Sequence, residues 1–285
     1  MPPSDQAPES EHAAPAGAAD APGPGEPLPP WANREPYFDL NGELLRPRPH
    51  ARGPWSPDML SGRVVAALLA REVERCHGDP SFQVARFTVD LFRSPPLKPV
   101  TVIARPVREG NRIRVIDASM SCDGVEIARA STVMLRRAEQ PSGEVWKPPV
   151  WDMPPPNEGD RPWGFGRRGS GPPQAGDLPV ERRRTWMRDT NQLVAGEQMT
   201  PFVRVALAVD LTNPFANTGS NGLDFINADV TTYLHRLPVS EWLGFEVSSH
   251  QSAEGIAVGS CTLYDVEGAI GQSLVCAVAN RRPPP

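Results

Sequence analysis

Ser56-Pro57-Asp58-Met59-Leu60-Ser61-Gly62-Arg63-Val64-Val65-Ala66-Ala67-Leu68-Leu69-Ala70 is the first strongly periodic stretch of the chain. Ser is a favoured helix N-cap, and Pro suits the first helical position because its missing N–H would be unpaired there anyway. Leu60, Val64, Val65, Leu68, Leu69 and Val73 follow at helical spacing, and Gly78 and Pro80 are stop signals. The spacing predicts a helix of about five turns with a broad apolar face, opening at Ser56-Pro57.

Strand signals follow in series. Phe82–Phe92, Val100–Val107, Arg112–Met120 and Val125–Leu135 alternate in part, with turn signals at Glu109-Gly110-Asn111 and Cys122-Asp123-Gly124. A long helix followed by an antiparallel meander predicts an α+β unit.

The second half repeats this plan. Thr200-Pro201 stands 144 residues after Ser56-Pro57 and opens a second apolar run with Val203, Val205, Ala206, Leu207 and Val209, expected to stop before Asn213-Pro214. Arg93 and Pro95 return as Arg236 and Pro238. Glu109-Gly110 returns as Glu254-Gly255, and Asp123-Gly124 as Glu267-Gly268. Two such units predict a pseudo-twofold pair whose sheets join edge to edge, which hides edge strands and leaves a cleft between the units.

Composition marks the segments between the units. Of the 35 prolines, 23 lie in residues 1–54 and 141–179. Residues 1–30 carry almost no large apolar side chain, so they are expected to be disordered. The first unit is read as 31–137 and the second as 180–282. The segment 138–179 is read as an extended crossover whose Trp146, Trp151 and Trp163 pack on the folded units.

The formal net charge of -5 argues against a general affinity for nucleic acid or an anionic membrane. Arg182-Arg183-Arg184 reads as a solvated strand or loop edge. Cys76, Cys122, Cys261 and Cys276 form no metal-binding spacing, and no signal sequence or membrane span is evident. A reduced cytoplasmic protein without a metal or cofactor is the expectation. Gly164-Phe165-Gly166-Arg167-Arg168-Gly169 satisfies a dinucleotide fingerprint only in letters, because no strand precedes it and Pro172-Pro173 prevents a following helix. Neither a serine-hydrolase elbow nor a zincin motif is present.

The run Ala228-Asp229-Val230-Thr231-Thr232-Tyr233-Leu234-His235-Arg236-Leu237-Pro238, continued by Glu241-Trp242-Leu243, resembles the double-hotdog acyl-CoA thioesterases of the bacterial acyl-CoA thioesterase II type. Leu60-Ser61-Gly62-Arg63-Val64 resembles that family's entry to its first helix. The resemblance spans roughly 35–137 and 180–282, and it implies a tandem hotdog fold. It also implies hydrolysis of an acyl-CoA or acyl-carrier thioester by a water that an Asp, a Thr or Ser, and a Gln hold. Asp229 matches the Asp, Ser249 or His250 falls at the hydroxyl position, and Cys276 stands where the family has Gln.

Ser61 and Gly62 are candidate oxyanion donors, since backbone N–H groups at a helix N-terminus suit developing negative charge. Cys276 itself, within Leu274–Val278, reads as a buried strand residue rather than a nucleophile. His235 reads as structural. The alternative to hydrolysis is a non-hydrolytic acyl-thioester or lipid-binding protein, suggested by Cys276 in place of Gln; a purely structural partner protein is a third reading. A homo-oligomer is compatible with each.

Overall fold

The computed structural model describes residues 35–149, 151, 156, 163–165 and 183–280. Strands β1 (Phe38–Asn41) and β2 (Leu44–Pro47) form a hairpin ahead of the first unit. That unit is α1 (Gly62–His77), β3 (Phe82–Leu91), β4 (Thr101–Glu109), β5 (Ile113–Cys122) and β6 (Val125–Arg136). Strand β7 (Trp163–Phe165) lies in the crossover, and β8 (Arg184–Met187) begins the second unit. Its helical part is α2 (Pro201–Val209) and α3 (Thr212–Asn217). The short strands β9 (Thr218–Gly219), β10 (Gly222–Leu223) and β11 (Phe225–Asn227) follow. The meander is β12 (Asp229–Leu234), β13 (Leu243–Ala253), β14 (Ile256–Asp265) and β15 (Gly268–Ala279).

One antiparallel sheet joins the two meanders in the order β4-β5-β6-β3-β12-β15-β14-β13-β8-β7, with β11 also on β15. The order within the second meander mirrors that within the first, so β3 and β12 meet at the centre. Thr231 faces Thr88 there, 143 residues apart in sequence, and their hydroxyls bond at 3.2 Å. Equivalent residues of a twofold repeat can pair with each other only at the axis, so this pair marks it. The architecture is a tandem hotdog of the α+β class.

Alternation decides the faces. On β12, Val230, Thr232 and Leu234 are buried, while Asp229, Thr231 and Tyr233 point to the outer face. On β3, Phe87 and Val89 are buried and Arg86, Thr88 and Asp90 lie outward. The inner face packs on α1, α2 and α3. Val64, Val65, Leu68, Leu69 and Val73 of α1 are fully buried in one core shared with Phe202, Val205 and Leu207 of α2. Each such side chain contributes about 1.5–3 kcal/mol on burial.

The Ser/Thr-Pro signals behave differently in the two units. In the second, Thr200 caps α2, its hydroxyl accepting the Val203 N–H at 3.2 Å. In the first, the helix opens five residues past Pro57, at Gly62. Residues 58–60 are drawn into pairing with 95–97 instead: Leu60 N–H donates to Pro95 O, and Leu97 N–H donates to Asp58 O. The Asn213-Pro214 stop is also displaced. The break falls at Asp210–Leu211, and Asn213-Pro214 lies inside α3.

Residues 1–30 lie outside the described residues, as does most of the crossover, including residues 166–169 of the glycine-rich motif and all of the side chain of Trp163. Trp151 is buried on Trp186, Trp242 and Tyr264, whereas Trp146 stays exposed. Arg183 and Arg184 are not a solvated edge. Arg183 donates to the Phe215 and Thr218 carbonyls, and Arg184 pairs with Glu246. No described helix is long and apolar enough to cross a membrane.

Candidate active site

Asp229 opens β12 on the outer face, where β11 gives way to the central strand pair. Its Oδ1 accepts the Cys276 N–H from β15 at 2.7 Å. No second protein nitrogen or oxygen among the described residues bonds this carboxylate. On its other side its direct cross-strand partner is Asp90 of β3. Direct partners in an antiparallel pair share a face and stand about 4.5–5.5 Å apart at Cβ. Two carboxyls thus face each other. Asp90 is exposed at its strand position, and its proton affinity is raised above the ordinary carboxylate value by partial desolvation and by the facing Asp229, against the opposing pull of Arg129.

Cys276 is not the buried strand residue expected from Leu274–Val278. The strand alternates so that Ser273, Val275 and Ala277 are buried and Cys276 is exposed on the outer face. Local desolvation pushes its thiol up to about 11, with Asp229 beside it adding to the rise. A thiol held protonated is a weak nucleophile.

The other expected site residues are not gathered here. Ser249 and His250 lie on β13, which is separated from β15 by β14. That places them roughly 10 Å from the Cys276 strand at ordinary strand spacing. Ser249 pairs with Ser260. His250 pairs with Gly259, whose Cβ position would meet Ala216 and Asn217, so His250 points inward. Both of its ring nitrogens are engaged, Nδ1 with Asn217 Oδ1 at 2.8 Å and Nε2 with Ser252 Oγ at 3.1 Å.

Ser61 and Gly62 do begin α1, but their amides do not face an open anion site. A Cβ on Gly62 would stand 2.7 Å from Asp210 Oδ1. Asp210, at the end of α2, presents its carboxylate to the α1 N-terminus and accepts the Arg63 N–H. Burial raises its proton affinity, opposed by the Asn227 amide, which donates to it at 2.9 Å. The Asp210 side chain covers the helix start, so it is not open to an oxyanion. Asn227 also donates to the Asp229 carbonyl at 3.3 Å, tying this buried acid to the strand that carries Asp229.

Asp90, Asp210 and Asn227 were missed in the sequence. Asp90 sits in an ordinary alternating strand, and its partner emerges only from the register between the units. A signal existed: Thr88 and Thr231 share the repeat offset, and pairing them at the axis brings Asp90 opposite Asp229.

Models of the acyl-CoA thioesterase N-terminal domain and C-terminal domain match residues 51–135 and 146–274, in that order. The chain belongs to the acyl-CoA thioesterase family. No curated protein matches it. Among solved structures, it is similar to a hot dog fold protein of unknown function from Alicyclobacillus acidocaldarius (TM-score 0.64, 17% identity, 87% of this chain and 96% of that one). The tesB protein of Mycobacterium avium subs paratuberculosis matches with TM-score 0.61 at 16% identity over 86% and 95% of the two chains. An acyl-CoA thioesterase II from Mycobacterium marinum gives 0.60 at 17% over 86% and 94%.

Seen as a thioesterase-family motif, residues 229–242 divide by role. Asp229 stands at the end that meets Asp90 and Cys276. Arg236 instead grips Asp265 with both terminal nitrogens, at 2.5 and 2.6 Å. Burial works to raise the Asp265 carboxyl, but Arg236 and the N–H groups of Val239 and Glu267 bring it below the usual range. His235 is lowered by burial and by Arg236, consistent with a neutral structural ring. Glu241 pairs with Arg204 of α2, and Trp242 is buried with Arg188 over its ring. Most of the motif is a clamp.

Proposed function

We propose that the chain is an acyl-CoA thioesterase in which Asp229 holds and activates the attacking water. The observation that carries this reading is the Asp229 carboxylate itself. One oxygen is fixed by the Cys276 N–H, and the Cys276 thiol is the other polar group that bonds the carboxylate, so no protein nitrogen or oxygen among the described residues besides that N–H occupies it. A carboxylate oriented this way can accept a proton from water as the water oxygen attacks the thioester carbonyl. The C–S bond then breaks and the thiol departs. Beside the pair, Val258, Val278 and Ile256 are exposed on the same face, with Val278 and Ile256 direct partners. This strip gives an acyl chain an apolar surface next to the acid.

Cys276 favours a second reading, binding of acyl thioesters without hydrolysis, because a thiol lacks the two amide donors of the family's Gln. Thiol release across a series of acyl-CoA lengths separates the two. Hydrolysis requires release by the wild type and a loss of about 10²–10⁴-fold in Asp229→Asn. Tight acyl-CoA binding with no thiol released would replace hydrolysis by the binding reading.

A further inference from the structure

The Asp90–Asp229 pair is an unfavourable arrangement that packing does not explain. Like charges placed directly opposite in a sheet are destabilising. Neutralisation by a cation is the usual remedy, and it is incomplete here. Arg129 is the cross-strand partner of Asp90 on β6, yet its guanidinium is committed to Glu126 by two bonds of 3.1 and 3.0 Å. Asp90 accepts no hydrogen bond among the described residues. The groups facing it are Asp229 on β12, Arg129 with Glu126 on β6, and Cys276 one strand farther; Asp117 on β5 lies near Arg129. The twofold-equivalent position shows that the fold does not demand two acids, because Arg86 and Tyr233 form that pair.

We propose that Asp90 is a second catalytic residue of this site, the acid that gives its proton to the departing thiolate. The proposal rests on the hydrolase reading above. Carboxyls on directly paired residues repel when both are charged, and this favours a proton on Asp90. With the proton on Asp90, Asp229 is free to take one from water as the water oxygen bonds to the thioester carbon. The tetrahedral intermediate collapses, the C–S electron pair leaves on sulfur, and the Asp90 proton moves to that sulfur. The proton taken up by Asp229 passes across the strand pair to Asp90 and resets the site. The balance is thioester plus water to carboxylic acid plus thiol. An acyl chain laid over Asp90 removes more water and strengthens its hold on its proton.

The leaving group provides the test. An alkyl thiolate such as CoA needs a proton, whereas an acidic aryl thiolate departs without one. Asp90→Asn should therefore slow thiol release from acyl-CoA by at least about tenfold, and release from the matching aryl thioester by no more than about twofold. Asp229→Asn should slow both alike. The wild-type rate on acyl-CoA should fall as pH rises past the ordinary carboxylate range, and this limb should flatten in Asp90→Asn. Above the pH at which Asp90 ionises, relief of the like-charge pair should also raise the melting midpoint of Asp90→Asn, which checks that the variant is folded. Equal losses on both esters, or none on acyl-CoA, would overturn the role of Asp90 while leaving Asp229 in place. Absence of release by the wild type from either ester would overturn the hydrolase reading, and this proposal with it.

Discussion

The two ends of the central strand pair are related by the internal twofold axis, yet they have opposite characters. At one end Asp229 faces Asp90, with few compensating bonds. At the other, Tyr233 faces Arg86, and Arg86 donates to Ser131 Oγ at 3.1 Å. The strand then turns into the Arg236–Asp265 clamp. The backbone at that end is also tightly packed: a Cβ on Gly271 would lie 1.9 Å from the Tyr233 carbonyl oxygen. A duplicated fold offers two equivalent positions. Here one holds a like-charge pair at the expense of stability, and the other fastens the strand in place. Uncompensated charge at one end and over-determined packing at the other is the pattern expected when chemistry is confined to a single site.

Breaking the clamp should produce the largest change in stability. Asp265→Ala removes the carboxylate partner of Arg236, leaving it only the Gly268 carbonyl, and strands two backbone N–H groups, and should destabilise the fold by about 3–5 kcal/mol in denaturant unfolding. Gly271→Ala should cost about 1–3 kcal/mol, because the Tyr233 carbonyl it meets is backbone and cannot swing aside. Neither substitution touches Asp229, so residual activity per folded molecule should stay near the wild-type level. The same clamp sets a pH dependence. The Asp265 carboxyl is held below its unfolded value, so its contribution is fully present above about pH 4 and is lost as pH falls through the folded value. Acid unfolding of Asp265→Asn should accordingly show a weaker dependence on pH than the wild type. At the axis, the Thr88 and Thr231 hydroxyls mainly satisfy each other. Replacing both with Val should shift stability by no more than about 1 kcal/mol, since removing both partners of a hydrogen bond strands neither.

These contrasts also show what the sequence could and could not reveal. The repeat was legible because each half has its own apolar helix run and its own turn signals. Thr200-Pro201 marked a helix start correctly because nothing competes for the residues that follow. Ser56-Pro57 did not, since residues 58–60 find partners in 95–97. Asp229 could be singled out from its motif, and its part in the chemistry is the proposal put to test below. Cys276 was misread because an apolar run does not tell which face of a half-buried strand a residue occupies. Asp90 and Asp210 act through partners far away in sequence, so only the register between the units and the packing of α2 on α1 reveal them. His250 and Ser249 followed the motif spacing, but β14 intervenes between their strand and the one carrying Cys276.

The assignment of chemistry to one end is tested most directly by assaying Asp229→Asn and Tyr233→Phe side by side for thiol release from one acyl-CoA. Asp229→Asn should lose about a hundredfold or more, and Tyr233→Phe should change by no more than about twofold. Comparable losses in both, or a loss confined to Tyr233→Phe, would contradict that assignment.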